Sequence, residues 1–155
     1  MKPTVYLETT IISYLAARPT RDLIAFARQQ ITHEWWDVSS LRFDLCTSVV
    51  VRDEALRGDP QAAARRIEYL RRARLLISPP EAEPLAVALV KDGAIPAVAA
   101  TDAAHIAVAA AAGIEYLLTW NCTHINNAQR IRLIQSVCER HGFECPMICT
   151  PEELS

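Results

Sequence analysis

The feature that most constrains the fold of this chain is a regular alternation of short apolar runs with longer amphipathic ones, each closed by a stop. The apolar runs are Pro3–Leu7, Asp44–Thr47, Leu75–Ser78, Glu115–Thr119 and Met147–Cys149. They are short, and they are punctuated by Pro, Gly or polar residues, so they read as strands rather than buried helices. Strands separated by helices cannot be joined by tight hairpins and are expected to lie parallel, each reached by a helical crossover. The prediction is an α/β fold, a three-layer sandwich with a central, mostly parallel sheet flanked by helices.

The helical segments carry their own boundaries. Thr10–Ala17 stops before Arg18-Pro19, because the residue before proline disfavours the α region. Thr20 is expected to cap a helix through Trp36 with Leu23, Ile24, Ala27 and Ile31 on one face. Ser48 caps the helix carrying Val50, Val51 and Glu54. Gly58 and Pro60 break the chain before Gln61–Arg74, whose apolar face is Ala64, Ile67, Leu70 and Ala73. Glu81–Asp92 ends at Gly93. Thr101 is expected to cap the next helix, with Asp102 in its first turn, and Gly113 to end it. Asn126–His141 uses Ile131, Ile134, Val137 and Cys138, and ends at Gly142. There is no repeat or linker, and 155 residues suit one domain spanning 1–155.

Net charge is -2, so no global basic field advertises nucleic acid, although a local patch would suffice. The first strand begins almost at once, leaving no room for a signal peptide, and Ala107–Ala112 is too short to span a bilayer. The expectation is a cytoplasmic protein without a membrane partner. Five cysteines without a Cys-x-x-Cys pair read as reduced thiols, with Cys122 beside a candidate pocket. Arg65, Arg66, Arg71, Arg72 and Arg74 form either a solvated helix face or a guide for phosphates. Trp35-Trp36 are candidate partner anchors, with core packing as the alternative.

Four polar residues stand where strands end or neighbouring helices begin: Glu8, Glu54, Asp102 and Asn121. In an open parallel sheet the carboxyl ends of the strands converge on one crevice. Three carboxylates gathered there repel one another unless a cation neutralises them. Oxygen donors of this kind suit a hard divalent ion. Thr9 adds a hydroxyl beside Glu8. His105 follows Asp102 by one helical turn and either orients substrate or water or packs beneath the sheet. His124 could approach the same mouth. A Zn²⁺ site from these histidines has less support, since no usual zinc spacing is present.

The set resembles the PIN-domain nuclease family, especially the VapC-like toxins of toxin–antitoxin modules. The likeness covers nearly the whole chain. It rests on Val5-Tyr6-Leu7-Glu8-Thr9-Thr10, Ser48-x5-Glu54, Ala100-Thr101-Asp102-Ala103-Ala104-His105-Ile106-Ala107 and Tyr116-Leu117-Leu118-Thr119-Trp120-Asn121. Glu8 stands where the family usually has Asp, Thr9 takes the hydroxyl position, and Asn121 takes the place of a fourth Asp, with Thr119 as its preceding Thr. The resemblance implies a Mg²⁺- or Mn²⁺-dependent ribonuclease with Glu8, Glu54, Asp102 and Asn121 as catalytic and metal-binding residues. It also implies RNA as substrate and an antitoxin partner docking near the Thr10–Trp36 segment; a homodimer through the same elements is expected because most soluble oligomers are symmetric dimers. A neutral Asn121 predicts firmer binding of one ion than of a second. The alternative is a catalytically weak PIN-like module that binds RNA or protein. A phosphatase or phosphotransferase is less supported, because neither a Gly-x-x-x-x-Gly-Lys loop nor an Asp-x-Asp motif occurs.

Overall fold

The computed structural model describes residues 1–155. The chain runs β1 (Thr4–Leu7), α1 (Thr9–Ala16), α2 (Leu23–Asp37), β2 (Asp44–Thr47), α3 (Val49–Ala55), α4 (Pro60–Leu70), β3 (Arg74–Leu75), α5 (Ala82–Lys91), α6 (Ala100–Ala111), β4 (Tyr116–Leu118), α7 (Ala128–Arg140) and β5 (Met147–Cys149). Short 3-10 turns occupy Ser39–Arg42, Ala97–Ala99 and Pro151–Leu154. The five strands form one sheet in the order β3-β2-β1-β4-β5, and every pairing is parallel. The sheet is thus fully parallel, the middle layer of the expected α/β sandwich.

Val5, Tyr6 and Leu7 of β1 and Leu117 and Leu118 of β4 are fully buried. A central parallel strand covered on both faces carries a continuous apolar run instead of alternation, and these two do. Each such side chain contributes about 1.5–3 kcal/mol by leaving water. Among the helices, α5 packs on α6 and α7, and α1 packs on α2, α3 and α4. The register pairs Val5 with Tyr116 and Leu7 with Leu118, so Glu8 and Thr119 leave the sheet side by side. Strand β1 has β2 on one side and β4 on the other. That reversal of strand order is the topological switch point, where the crevice of an open α/β sheet lies.

Several local expectations need correction. Helix α2 is capped by Asp22, whose carboxylate accepts from Ala25 N–H at 2.8 Å, and Thr20 instead accepts from the N–H of Asp22. Its buried face is Gln29, Thr32, Trp35 and Trp36, while Leu23 and Ile24 are 84% and 68% exposed. The polar members are buried because they have partners: Gln29 donates to the carbonyls of Ala17 and Arg18, and Thr32 to that of Arg28. Trp35 and Trp36 are both core residues; Trp35 donates Nε1–H to Leu154 O at 3.1 Å. Pro60 opens α4 instead of breaking the chain, with Asp59 as its cap, as suits a residue whose missing N–H is unneeded at a helix start. That helix ends at Leu70, four residues early. The strand after it is Arg74–Leu75, and Ile77 is 93% exposed beyond it. Helix α6 begins at Ala100, so Thr101 lies inside it and makes no cap.

The five clustered arginines are all engaged within the chain. Arg65 donates to Ala16 O, Arg66 to the carbonyls of Ala55 and Arg57, and Arg71 pairs with Glu68. Arg72 lies 4.3 Å from the Trp36 ring centroid and donates to Ser40 Oγ, and Arg74 pairs with Asp44 at 2.7 Å. Cys46, Cys138 and Cys149 are buried, and Cys122 is exposed. No helix is long and apolar enough to cross a membrane.

Candidate active site

Glu8 leaves the end of β1 in extended conformation and caps α1. Its Oε1 accepts three donors: Thr10 N–H at 3.2 Å, the Thr10 hydroxyl, and the Thr119 hydroxyl at 2.6 Å. The two threonines are themselves fixed from β4, since Thr10 Oγ1 accepts Trp120 N–H at 2.9 Å and Thr119 Oγ1 accepts Asn121 N–H at 2.8 Å. Glu8 is only 3% exposed. Burial pushes its carboxyl above the ordinary range, although the three donors pull the other way. No protein donor reaches Oε2.

Glu54 arrives from α3, which Ser48 starts by accepting Val51 N–H. Helical phase turns Glu54 inward and leaves Asp53 exposed. Glu54 Oε1 accepts the Thr9 hydroxyl at 2.6 Å and lies 2.6 Å from His105 Nε2. Desolvation raises this carboxyl, but the His105 and Thr9 hydrogen bonds and the nearby positive charge of Arg57 outweigh it, so the net displacement is downward. Glu54 is therefore the more readily ionised of the two glutamates.

Behind Glu54 runs a buried relay. His105 is fully buried, with Nδ1 2.7 Å from the Tyr6 hydroxyl, which lies 2.6 Å from Ser48 Oγ. An ionised Glu54 only accepts, so Nε2 of His105 carries a proton. With Nδ1 accepting from Tyr6, the phenol in turn accepts from Ser48, and Ser48 accepts from Val51 N–H. Every donor then has an acceptor. Burial pushes the Tyr6 phenol far up, so it remains a donor. Both ring nitrogens of His105 are thereby occupied, which makes it a holder of Glu54 and not a metal ligand.

Asp102 stands in the first turn of α6, one turn before His105, with its side chain 17% exposed. Its Oδ2 lies 3.0 Å from His124 Nδ1. Asn121 follows β4, and its Oδ1 accepts His124 N–H at 3.0 Å, closing a tight turn. The tightest group is thus Glu8, Glu54 and His105, whose ligand-type atoms lie within 4.8 Å of one another. Asp102 and Asn121 belong to the neighbouring shell, joined to that group through α6 and through Thr119. Thr9 and Thr119 each hold one glutamate. Tyr6, Ser48 and Thr10 were not singled out from sequence as site residues; Tyr6 sits in an apolar run, and only its hydroxyl separates it from a core phenylalanine.

The donor set fits a hard divalent ion. Glu8 and Glu54 each commit one oxygen to protein donors and leave the other without one, and Asp102 commits Oδ2 and leaves Oδ1 without a donor. Carboxylates oriented in this way are what oxygen-preferring cations require. Beside Glu54 opens a cleft of about 310 Å³ that also includes Asp53, Arg57 and Thr101. A roomier cleft of about 630 Å³, including Lys2, Thr4, Asp44 and Arg74, lies at the opposite, amino end of the strands. Its size does not make it the reactive centre, because it lacks converging unpaired acceptors.

No family profile and no curated protein sequence matches the chain. Among solved structures, it is similar to a chain of VapBC-1 from nontypeable Haemophilus influenzae, with a TM-score of 0.61. Sequence identity is 16%, and the match covers 96% of this chain and 98% of that one. At that identity the likeness shows a shared fold, extending nearly end to end through both chains.

Proposed function

We propose that the chain is a Mg²⁺- or Mn²⁺-dependent endoribonuclease and the toxin of a toxin–antitoxin pair. The observation that carries this reading is the pair Glu8–Glu54 at the switch point, each with one oxygen pinned and one unpaired. The VapBC-1 fold likeness and the Glu8-Thr9, Glu54, Asp102 and Thr119-x-Asn121 pattern support it. Glu8 and Glu54 would hold the ion through their unpaired oxygens, and Asp102 and Asn121, whose Oδ1 atoms keep free lone pairs, would reach it from the neighbouring shell directly or through water. Bound there, a hard divalent ion would polarise the scissile phosphate, acidify a water and stabilise the leaving oxygen. Thr9 and His105 keep Glu54 aimed, and Thr10 and Thr119 keep Glu8 aimed. Arg57, in the cleft beside Glu54, offers a cation to an approaching phosphate.

A protein that cuts RNA requires restraint in its own cell, so the reading includes an antitoxin. The exposed Leu23, Ile24 and Phe26 of α2 offer an apolar face to such a partner or to a second copy in a homodimer. The decisive experiment is cleavage of single-stranded RNA with Mn²⁺ by wild type and Glu54→Gln, with a small phosphoester assayed in parallel. Loss of RNA cleavage in a folded Glu54→Gln protein supports the reading. Wild-type protein that binds RNA without cutting it establishes the binding-module alternative. Growth arrest on induction, relieved by Asp102→Ala, tests the toxin assignment separately.

A further inference from the structure

We infer that His124 is a positioning residue for Asp102, turning that carboxylate so that its second oxygen faces the divalent ion; the inference rests on the nuclease reading above. The three carboxylates obey one rule. Glu8 has one oxygen pinned by Thr10 and Thr119, Glu54 has one pinned by Thr9 and His105, and Asp102 has one pinned by His124 alone. Histidine Nδ1 at 3.0 Å from a carboxylate oxygen must be the donor, because an ionised carboxylate only accepts. No other side chain donates to Asp102, so removal of His124 leaves both of its oxygens without a side-chain donor.

The loop is built to deliver that ring. Asn121 N–H is held by Thr119, Asn121 O accepts Asn126 N–H at 2.8 Å, and Asn127 Nδ2 donates to Cys122 O at 3.0 Å. Asn121 Oδ1 fixes the amide of His124 itself, and the next residue, Ile125, is fully buried. With the backbone pinned on both sides of it, the imidazole crosses from the β4–α7 loop to the first turn of α6. The same hydroxyl of Thr119 serves both Glu8 and this loop. The loop therefore sets two carboxylates at once.

Mn²⁺ affinity, measured by calorimetry and by electron paramagnetic resonance of the free ion, tests this on the full chain. The variants are His124→Ala and His124→Phe, which lack the donor, and His124→Asn, whose amide N–H stands near the place of Nδ1. Near-UV circular dichroism establishes that each is folded. The expected result is binding about tenfold or more weaker in the Ala and Phe variants, with the Asn variant close to wild type. Wild-type affinity in both donorless variants overturns the inference, as does equal loss in the Asn variant, which would assign the effect to ring packing. Wild-type protein that binds no Mn²⁺ overturns the nuclease site itself, and the inference with it.

Discussion

Glu8 joins two demands that oppose each other: three donors favour its ionised form, while nearly complete burial favours its neutral one, and burial prevails. A carboxyl displaced upward keeps its proton longer in the folded state than in the unfolded one. Its contribution to stability therefore falls as pH rises from the ordinary value near 4.5 toward the higher folded value. In chelator at neutral pH, Glu8→Gln should show a higher urea midpoint than wild type, and the difference should vanish at low pH. Equal midpoints at pH 7 would contradict it. Tyr6 makes the converse case. Tyr6→Phe leaves His105 Nδ1 and the Ser48 hydroxyl proton unpartnered in the core, and each orphaned group costs about 1–3 kcal/mol. Chemical denaturation should show a loss of at least about 1 kcal/mol, beyond what a surface Tyr→Phe change gives.

Helix α2 separates apolar character from burial. Trp36 stacks under Arg72 and meets Tyr69 edge-on, with centroids 5.6 Å apart, whereas Leu23 projects into solvent. Trp36→Ala should cost about 3–5 kcal/mol through the cavity it leaves, and Leu23→Ser less than about 0.5 kcal/mol, both read from urea unfolding. Similar losses in the two would refute the burial assignment. Sequence periodicity pointed to Leu23 and Ile24 because it weighs side-chain type alone. What buries Gln29 and Thr32 is a set of carbonyl acceptors supplied by Ala17, Arg18 and Arg28, and no hydrophobic pattern encodes those. The short edge strand β3 was misplaced for a related reason, since its two residues are exposed and lack a buried run to announce them. Strands β1, β2 and β4 were legible because both of their faces are covered.

At the scale of the molecule, the meeting of Glu8 and Glu54 was legible because Glu8 ends β1 and Glu54 lies on the helix that follows β2, whereas Asp102 stands outside their tight group. The division of labour among them was not, because it depends on His105 and His124 reaching across 51 and 22 positions of chain. The sheet order has the same long reach: β1 pairs with β4, and Glu8 takes the Thr119 hydroxyl from 111 residues away. Such pairings form late and slowly, since distant segments must meet before they gain anything. A fragment ending at Ala112 should neither bind Mn²⁺ nor cut RNA under conditions where the full chain does both; cutting by the fragment would refute the role given to β4. The sheet thus acts as a clock on synthesis. A ribosome that has already made Glu8 and Glu54 has not yet made the Thr119 hydroxyl that holds Glu8, so the carboxylate pair is still without its fixed geometry. Only when Tyr116–Leu118 slots in beside β1 is the crevice closed on both sides of Glu8.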